Sequence, residues 1–263
     1  MKRLLGEFLT IVLGVLVALG VDEWRQGRSE LKIAGEHLAD ITAELRQNLC
    51  TVERIRVRHL PRKMENLQTV LNFLNDPQAE TADPAALLHA LARSTSAARP
   101  WLVDNQYQAL QNSGNVRLVH KLQPDLVLSS VYEGPEVLFS QEQRIQGPYP
   151  VMVNELLPAQ LQSQFSQLRG YARGAEAPVL VDDADLAKAV DAVRARRVEL
   201  LGLARNEAAV ATGRWYALTR ISDDLRATLE ELGRWDRSTM PLEKQLEECR
   251  APRPDPSKPP ASK

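Results

Sequence analysis

Cysteine is nearly absent from this chain. Cys50 and Cys249 stand alone, and without a Cys-x-x-Cys pair no thiol arrangement suggests a zinc or redox centre. Aromatic residues are scarce, at 5% of the chain. Alanine, leucine, arginine, glutamate and glutamine are prominent instead, and straight-chain residues lose little rotamer freedom in a helix, so the composition argues against an all-β fold. An excess of either charge is missing too: 33 basic side chains face 34 acidic ones, for a formal charge of -1. That balance removes the global electrostatic drive toward nucleic acid, and no nucleic-acid partner is expected.

Catalytic patterns are equally wanting. His37, His59, His89 and His120 lack the i,i+4 spacing that sets two imidazoles on one zinc, and read as isolated helix-surface residues. No Gly-x-Ser-x-Gly elbow occurs, and Gly170 to Gly174 lacks the lysine and hydroxyl of a phosphate loop. Asp182, Asp183 and Asp185 offer oxygen ligands, but at a helix start their expected work is capping and dipole compensation. Arg194, Arg196 and Arg197 read as a solvated basic face beside acidic neighbours. No enzyme activity, cofactor or metal is expected.

What is present begins at the N-terminus. After Lys2 and Arg3 the chain runs apolar from Leu4 to Val21, interrupted by Glu7, and then meets Asp22, Glu23 and Trp24. At 1.5 Å per residue, Leu4 to Trp24 covers about 30 Å, the hydrocarbon thickness of a bilayer. Trp24 is placed as the interface anchor on the far side, with Lys2 and Arg3 cytoplasmic, although Arg25, Arg28 and Lys32 follow closely. The competing reading is a cleaved signal peptide, with Ala18-Leu19-Gly20 as a small-x-small site. Either reading exports the remainder of the chain.

Gly6, Thr10, Gly14 and Ala18 recur every four residues and form a ribbon of small side chains on one side of this helix. Such ribbons let two membrane helices approach closely. Glu7 projects onto the same sector, where a carboxyl group facing a partner is less costly than one facing lipid. The expectation is a packing face for a second copy or another membrane subunit. The alternative is an ordinary membrane helix with Glu7 snorkelling to the headgroups.

Beyond Trp24, Leu31, Ala34, Leu38, Ile41, Leu45, Leu49, Val52 and Ile55 form one apolar stripe at helical spacing. Pro61 predicts a break. Met64, Leu67, Val70, Leu71 and Leu74 give a shorter helical face, and Asp83-Pro84 reads as an N-cap with proline at the first helical position. A helix is expected from Asp104 to Ser113, ended by Gly114 in a left-handed cap, followed by a short extended piece over Val116 to Val119. A further helix is expected from Pro124, bent near Gly134-Pro135. Gly147 to Pro150 reads as a turn, Gly170 to Pro178 as a flexible linker or mobile loop. The periodic run from Leu186 to Trp235 predicts one very long helix or a hairpin bent near Thr212-Gly213. Pro252, Pro254, Pro256, Pro259 and Pro260 make the end an extended, disordered tail.

Two stretches carry a resemblance. Gly6-Glu7, Ile11, Gly14 to Leu19 and Trp24 form the first; Tyr107, Leu110, Ser113-Gly114, Arg117-Leu118-Val119, Leu122, Leu126 and Tyr132 form the second. Together they resemble a family of uncharacterised bacterial single-pass membrane proteins, known as a domain of unknown function. The resemblance covers about a quarter of the chain. It implies a membrane location and a helical exported domain, and brings no activity with it. Tyr107, Ser113, Gly114, Arg117 and Tyr132 are the most function-like cluster, read either as a ligand or partner site or as a helix C-cap with two core tyrosines.

The expected architecture is all-α: a cytoplasmic start at 1–3, a transmembrane helix over 4–24, an elongated antiparallel helical bundle outside the cytoplasm over 25–249, and a disordered tail over 250–263. In an oxidising compartment Cys50 and Cys249 would bridge the first and last helices; the other reading leaves two buried thiols. The expected function is an interaction or assembly protein of the bacterial inner membrane, with a ligand-sensing module acting through a membrane partner as the alternative.

Overall fold

The structure, a computed structural model, describes residues 2–76, 78, 83–96, 100–143, 147–160, 162, 182–233, 247 and 249, with the backbone alone over 2–11 and 136–143. Among the described residues every regular element is helical. The proline-rich tail, the loop over Gly170 to Pro178 and Trp235 lie outside them.

Helix α1 (Lys2–Arg54) runs for 53 residues without interruption. A five-residue π-turn (Ile55–His59) joins it to α2 (Leu60–Asn75). The break expected at Pro61 does not occur. Proline lacks an N–H and crowds the carbonyl one turn earlier, and the wider π-turn, in which Leu60 N–H donates to Ile55 O, absorbs that mismatch just before it. Helix α3 (Pro84–Ser94) starts as expected, with the Asp83 carboxylate accepting from Ala86 N–H and Pro84 in the first turn.

Helix α4 (Asn105–Asn112) is followed by Gly114 at φ +70, the left-handed position that only glycine adopts without strain. The extended piece expected over Val116 to Val119 is instead helix α5 (Val116–Leu122). Burial of Leu118 and Val119 overrides the weak helix preference of the β-branched valines. Helix α6 (Leu128–Gln143) begins four residues after Pro124 and carries Pro135 inside it. The expected turn at Gly147 to Pro150 is the first turn of α7 (Pro148–Leu156), where proline gives up an N–H that no helix bond needs.

Helix α8 (Asp183–Ala195) is capped by Asp182, whose carboxylate accepts from Ala184 N–H. Helix α9 (Arg197–Gly233) follows for 37 residues. Of the two forms expected for the periodic run, no bend falls at Thr212-Gly213, which lie inside α9, and the run is instead interrupted at Arg196.

The chain forms two compact units, Met1–Asn48 with Val103–Tyr132 and Leu225–Thr239, and Leu49–Leu102 with Glu133–Asp224 and Met240–Lys263. In the first unit the buried apolar residues are Ala34, Leu38, Ile41 and Leu45 of α1, Leu110 of α4, Leu118 and Val119 of α5, Leu126, Leu128 and Val131 at α6, and Leu225, Leu229 and Leu232 of α9. The α1 stripe thus starts at Ala34, because Leu31 is exposed. In the second unit one core gathers Leu67, Val70 and Leu74 of α2, Leu88 and Leu91 of α3, Tyr149 and Val153 of α7, Val190 and Val193 of α8, and Leu200 and Ala204 of α9. Cys50 and Cys249 form a disulfide in this unit, with their Cα atoms 5.3 Å apart.

Candidate functional site

Among the described residues, the first unit holds a polar cluster built on Glu44 and Asn48 of α1. Glu44 stands on the buried face of α1 between Ile41 and Leu45 and is only 5% exposed. Its two oxygens are each satisfied by a different element: Tyr132 OH of α6 donates to Oε1 at 2.8 Å, and Gln106 N–H of α4 donates to Oε2 at 2.8 Å. One turn along α1, the Asn48 amide clamps the strand of backbone leading into α4. Its Nδ2 donates to Val103 O at 2.7 Å while Val103 N–H donates to its Oδ1 at 2.8 Å. Two side chains one helical turn apart thereby fix α4 and α6 on α1.

Tyr107 and Tyr132 stack with ring centroids 4.4 Å apart and planes within 1°. Burial, the hydrogen bond to Glu44 and the Glu44 charge all push the Tyr132 hydroxyl far above the ordinary phenol range, so it remains a donor throughout the physiological range. The paired tyrosines and the buried carboxylate form a lock rather than a reactive centre, because every strong acceptor on Glu44 is occupied from within the fold.

The other members of the expected cluster fall elsewhere. Ser113 closes the end of α4, its Oγ donating to Leu110 O at 3.0 Å, and Gly114 follows in the left-handed turn. Arg117 is exposed on α5. The structure therefore brings Tyr107 and Tyr132 together and leaves Ser113, Gly114 and Arg117 in a helix cap and on the surface. The Gly114 turn also places Asn115 against His37 of α1, at 3.1 Å.

Glu44 and Asn48 were not singled out from the sequence, although the signal is there. Both are polar letters set at i,i+4 inside an otherwise apolar stripe, a position where a polar side chain needs partners.

No protein-family model, curated protein or solved structure matches this chain. The residues themselves carry the functional reading.

In the second unit a cavity of about 470 Å³ is lined by Phe73, Asp76, Arg194, Arg196, Arg197 and Glu199. Its guanidinium groups are held by the protein: Arg196 pairs with Glu155 and Glu199, Arg197 donates to Leu74 O and Asn75 O, and Arg194 pairs with Asp191 and lies over the Phe73 ring. Among the described residues no group of three or more His, Cys, Asp or Glu side chains is arranged to hold a metal ion.

The packing face expected on the N-terminal helix is described only in part. The side chains of Gly6, Glu7 and Thr10 lie outside the described residues. Gly14 has no atom within 4 Å of an added Cβ, and Ala18 is exposed. Val12, Leu13, Val15, Leu16, Val17, Leu19 and Val21 are 38–62% exposed, and so is Trp24, at 61%. Among the described residues no helix is long and apolar enough to cross a membrane, and the described side chains begin only at Val12.

Two outcomes follow for the polar groups. Glu44→Ala strands the Tyr132 hydroxyl and the Gln106 N–H, and Tyr132→Phe leaves one oxygen of the buried Glu44 carboxylate without its donor; each is expected to destabilise the first unit by about 2–3 kcal/mol, and urea unfolding of the two variants checks both. In the second unit, burial pushes the Tyr149 hydroxyl up to about 12, and its partner is Ser94 Oγ at 2.7 Å. The folded chain therefore holds this proton where the unfolded chain releases it. Stability present below about pH 10 falls as pH rises toward about 12. A Tyr149→Phe variant should lack that part of the alkaline slope in pH-dependent unfolding.

Proposed function

We propose that the chain is a membrane-anchored helical interaction protein of the bacterial cell envelope, held by α1 and presenting its helical bundle outside the cytoplasm. The observation that carries this reading is the change in burial along one unbroken helix. From Ala34 onward α1 buries a stripe at helical spacing, whereas over 12–21 the apolar side chains are exposed. A helix apolar all round is stable only inside a larger core or in lipid. Residues 4–24 together span about 30 Å as a helix, so the bilayer is the solvent that fits. This is also the location implied by the resemblance of the anchor and the tyrosine stretch to single-pass membrane proteins.

The disulfide supports the orientation. Lys2 and Arg3 on one side of the segment and Arg25, Arg28 and Lys32 on the other leave the charge balance divided. A Cys50–Cys249 bridge persists in an oxidising compartment and not in a reducing cytosol, which favours the domain outside. In this reading Gly6, Glu7, Thr10, Gly14 and Ala18 form the lateral contact with a second copy or another membrane subunit.

The second reading is a ligand-sensing module that signals through a membrane partner, for which the cavity of the second unit is the candidate pocket. Purification of the tagged chain from membranes, with mass spectrometry of what accompanies it, separates the two. A stoichiometric protein partner or a dimer supports assembly, a bound small molecule supports sensing, and a chain recovered from the soluble fraction contradicts both.

A further inference from the structure

We propose that the face of α1 carrying Trp24, Arg25 and Arg28 is a docking surface for anionic phospholipid headgroups, which fixes the depth of the helix in the bilayer. The inference rests on the membrane anchor proposed above and adds what the anchor binds.

Three observations converge on it. The first is sidedness. At about 100° per residue, Trp24, Arg25, Arg28 and Lys32 fall within one sector about 100° wide, while Asp22, Glu23 and Glu30 fall outside it. The charges past the apolar run nearly cancel as a sum, yet on this face they do not. Glu30 is moreover occupied by Lys121 of α5, at 3.3 Å, and is turned toward the protein. The second is a contact: the Arg28 guanidinium lies 4.9 Å from the centre of the exposed Trp24 ring. A guanidinium over an indole covers the apolar face of the ring and leaves its own N–H fork directed outward, where it matches a phosphate.

The third is distance along the axis. Arg25 lies about 1.5 Å and Arg28 about 6 Å beyond Trp24, within the headgroup layer of about 6 Å on each side of the hydrocarbon. Because α1 continues unbroken through this stretch, both arginines are held at that depth by helix geometry. Lys32 is about 12 Å beyond Trp24 and pairs with Glu36 at 3.7 Å, so it stands outside the layer. The apolar core stripe of the same helix begins at Ala34 and occupies a different sector. The basic face is therefore not used by the bundle.

The occupant is a phospholipid with net negative charge. A zwitterionic lipid offers the same phosphate beside its own cation and gains less from two arginines. Each arginine near an anionic surface is worth about fivefold in preference.

The test uses the full chain in vesicles that mix phosphatidylglycerol and phosphatidylcholine, with brominated acyl chains on one lipid at a time. Subtracting the fluorescence of Trp24→Phe isolates the Trp24 signal from the other tryptophans. Brominated phosphatidylglycerol is expected to quench that signal several-fold more than brominated phosphatidylcholine. The preference should vanish in an Arg25→Gln, Arg28→Gln double variant and survive in Asp22→Asn, Glu23→Gln. Quenching that is equal for the two lipids overturns the docking surface while leaving the anchor intact. A chain that does not sediment with the vesicles overturns both.

Discussion

Lys63→Ala is expected to destabilise the second unit by about 3–5 kcal/mol. The Lys63 ammonium is 2% exposed in its side chain, pairs with Glu207 of α9 and donates to Ser96 O at 2.9 Å. Removing it leaves the Glu207 carboxylate, 14% exposed, without its counter-ion. The carbonyl of Ser96 also loses a donor. The loss is dominated by the stranded charge, not by the strength of the pair, and that distinction is measurable. Lys63→Met combined with Glu207→Leu removes both charges and keeps most of the volume, and should recover most of the stability lost in the single variant. Urea unfolding of Lys63→Met, Glu207→Leu and the double variant gives the coupling directly. A Lys63→Ala variant within 1 kcal/mol of the parent, or a double variant worse than both singles, contradicts this account of the core.

The Cys50–Cys249 disulfide is expected to contribute about as much. It closes a loop with a sequence separation of 199 residues, which the chain-entropy model values at about 5 kcal/mol. Cys50→Ser and Cys249→Ser should each lower the unfolding midpoint by the same amount, and reduction of the parent should reproduce it. Once either cysteine is gone, reductant should have no further effect. Equal midpoints for oxidised and reduced parent would remove the bridge from the account and with it the argument for an oxidising compartment.

Much of the helical framework was legible before any coordinates. The apolar stripe from Ala34 to Val52 of α1, the Asp83-Pro84 start and the Gly114 stop each rest on a local rule that the structure obeys. The errors arose where a local rule met a tertiary one. Pro61 forbids a regular α-turn but not a π-turn, and nothing local distinguishes the two. Val116 and Val119 favour strands until Leu118 and Val119 find a buried site. Arg196 carries no breaker signal, so the turn between α8 and α9 was invisible while Gly213, a breaker by type, sits inside a helix.

The candidate site was half legible for the same reason. Tyr107 and Tyr132 stood out as scarce aromatics, and they do stack. The carboxylate partner of Tyr132, Glu44, is 88 residues away in the chain. Glu44 is an ordinary helix residue by type, and only its place in an apolar stripe marks it. Arg117, a member of the expected cluster, is at the surface because α5 turns it outward once the stretch is helical instead of extended.

The central claim is that α1 anchors the chain in the membrane with the bundle outside the cytoplasm. It is tested most directly by protease treatment of spheroplasts from cells expressing the full chain, followed by alkaline carbonate extraction of the surviving fragment. The account predicts that the bundle is digested from outside, and that an uncleaved fragment containing residues 4–24 stays with the carbonate-washed membranes. A soluble chain that starts after Gly20, or a bundle protected until the membrane is broken, would contradict it.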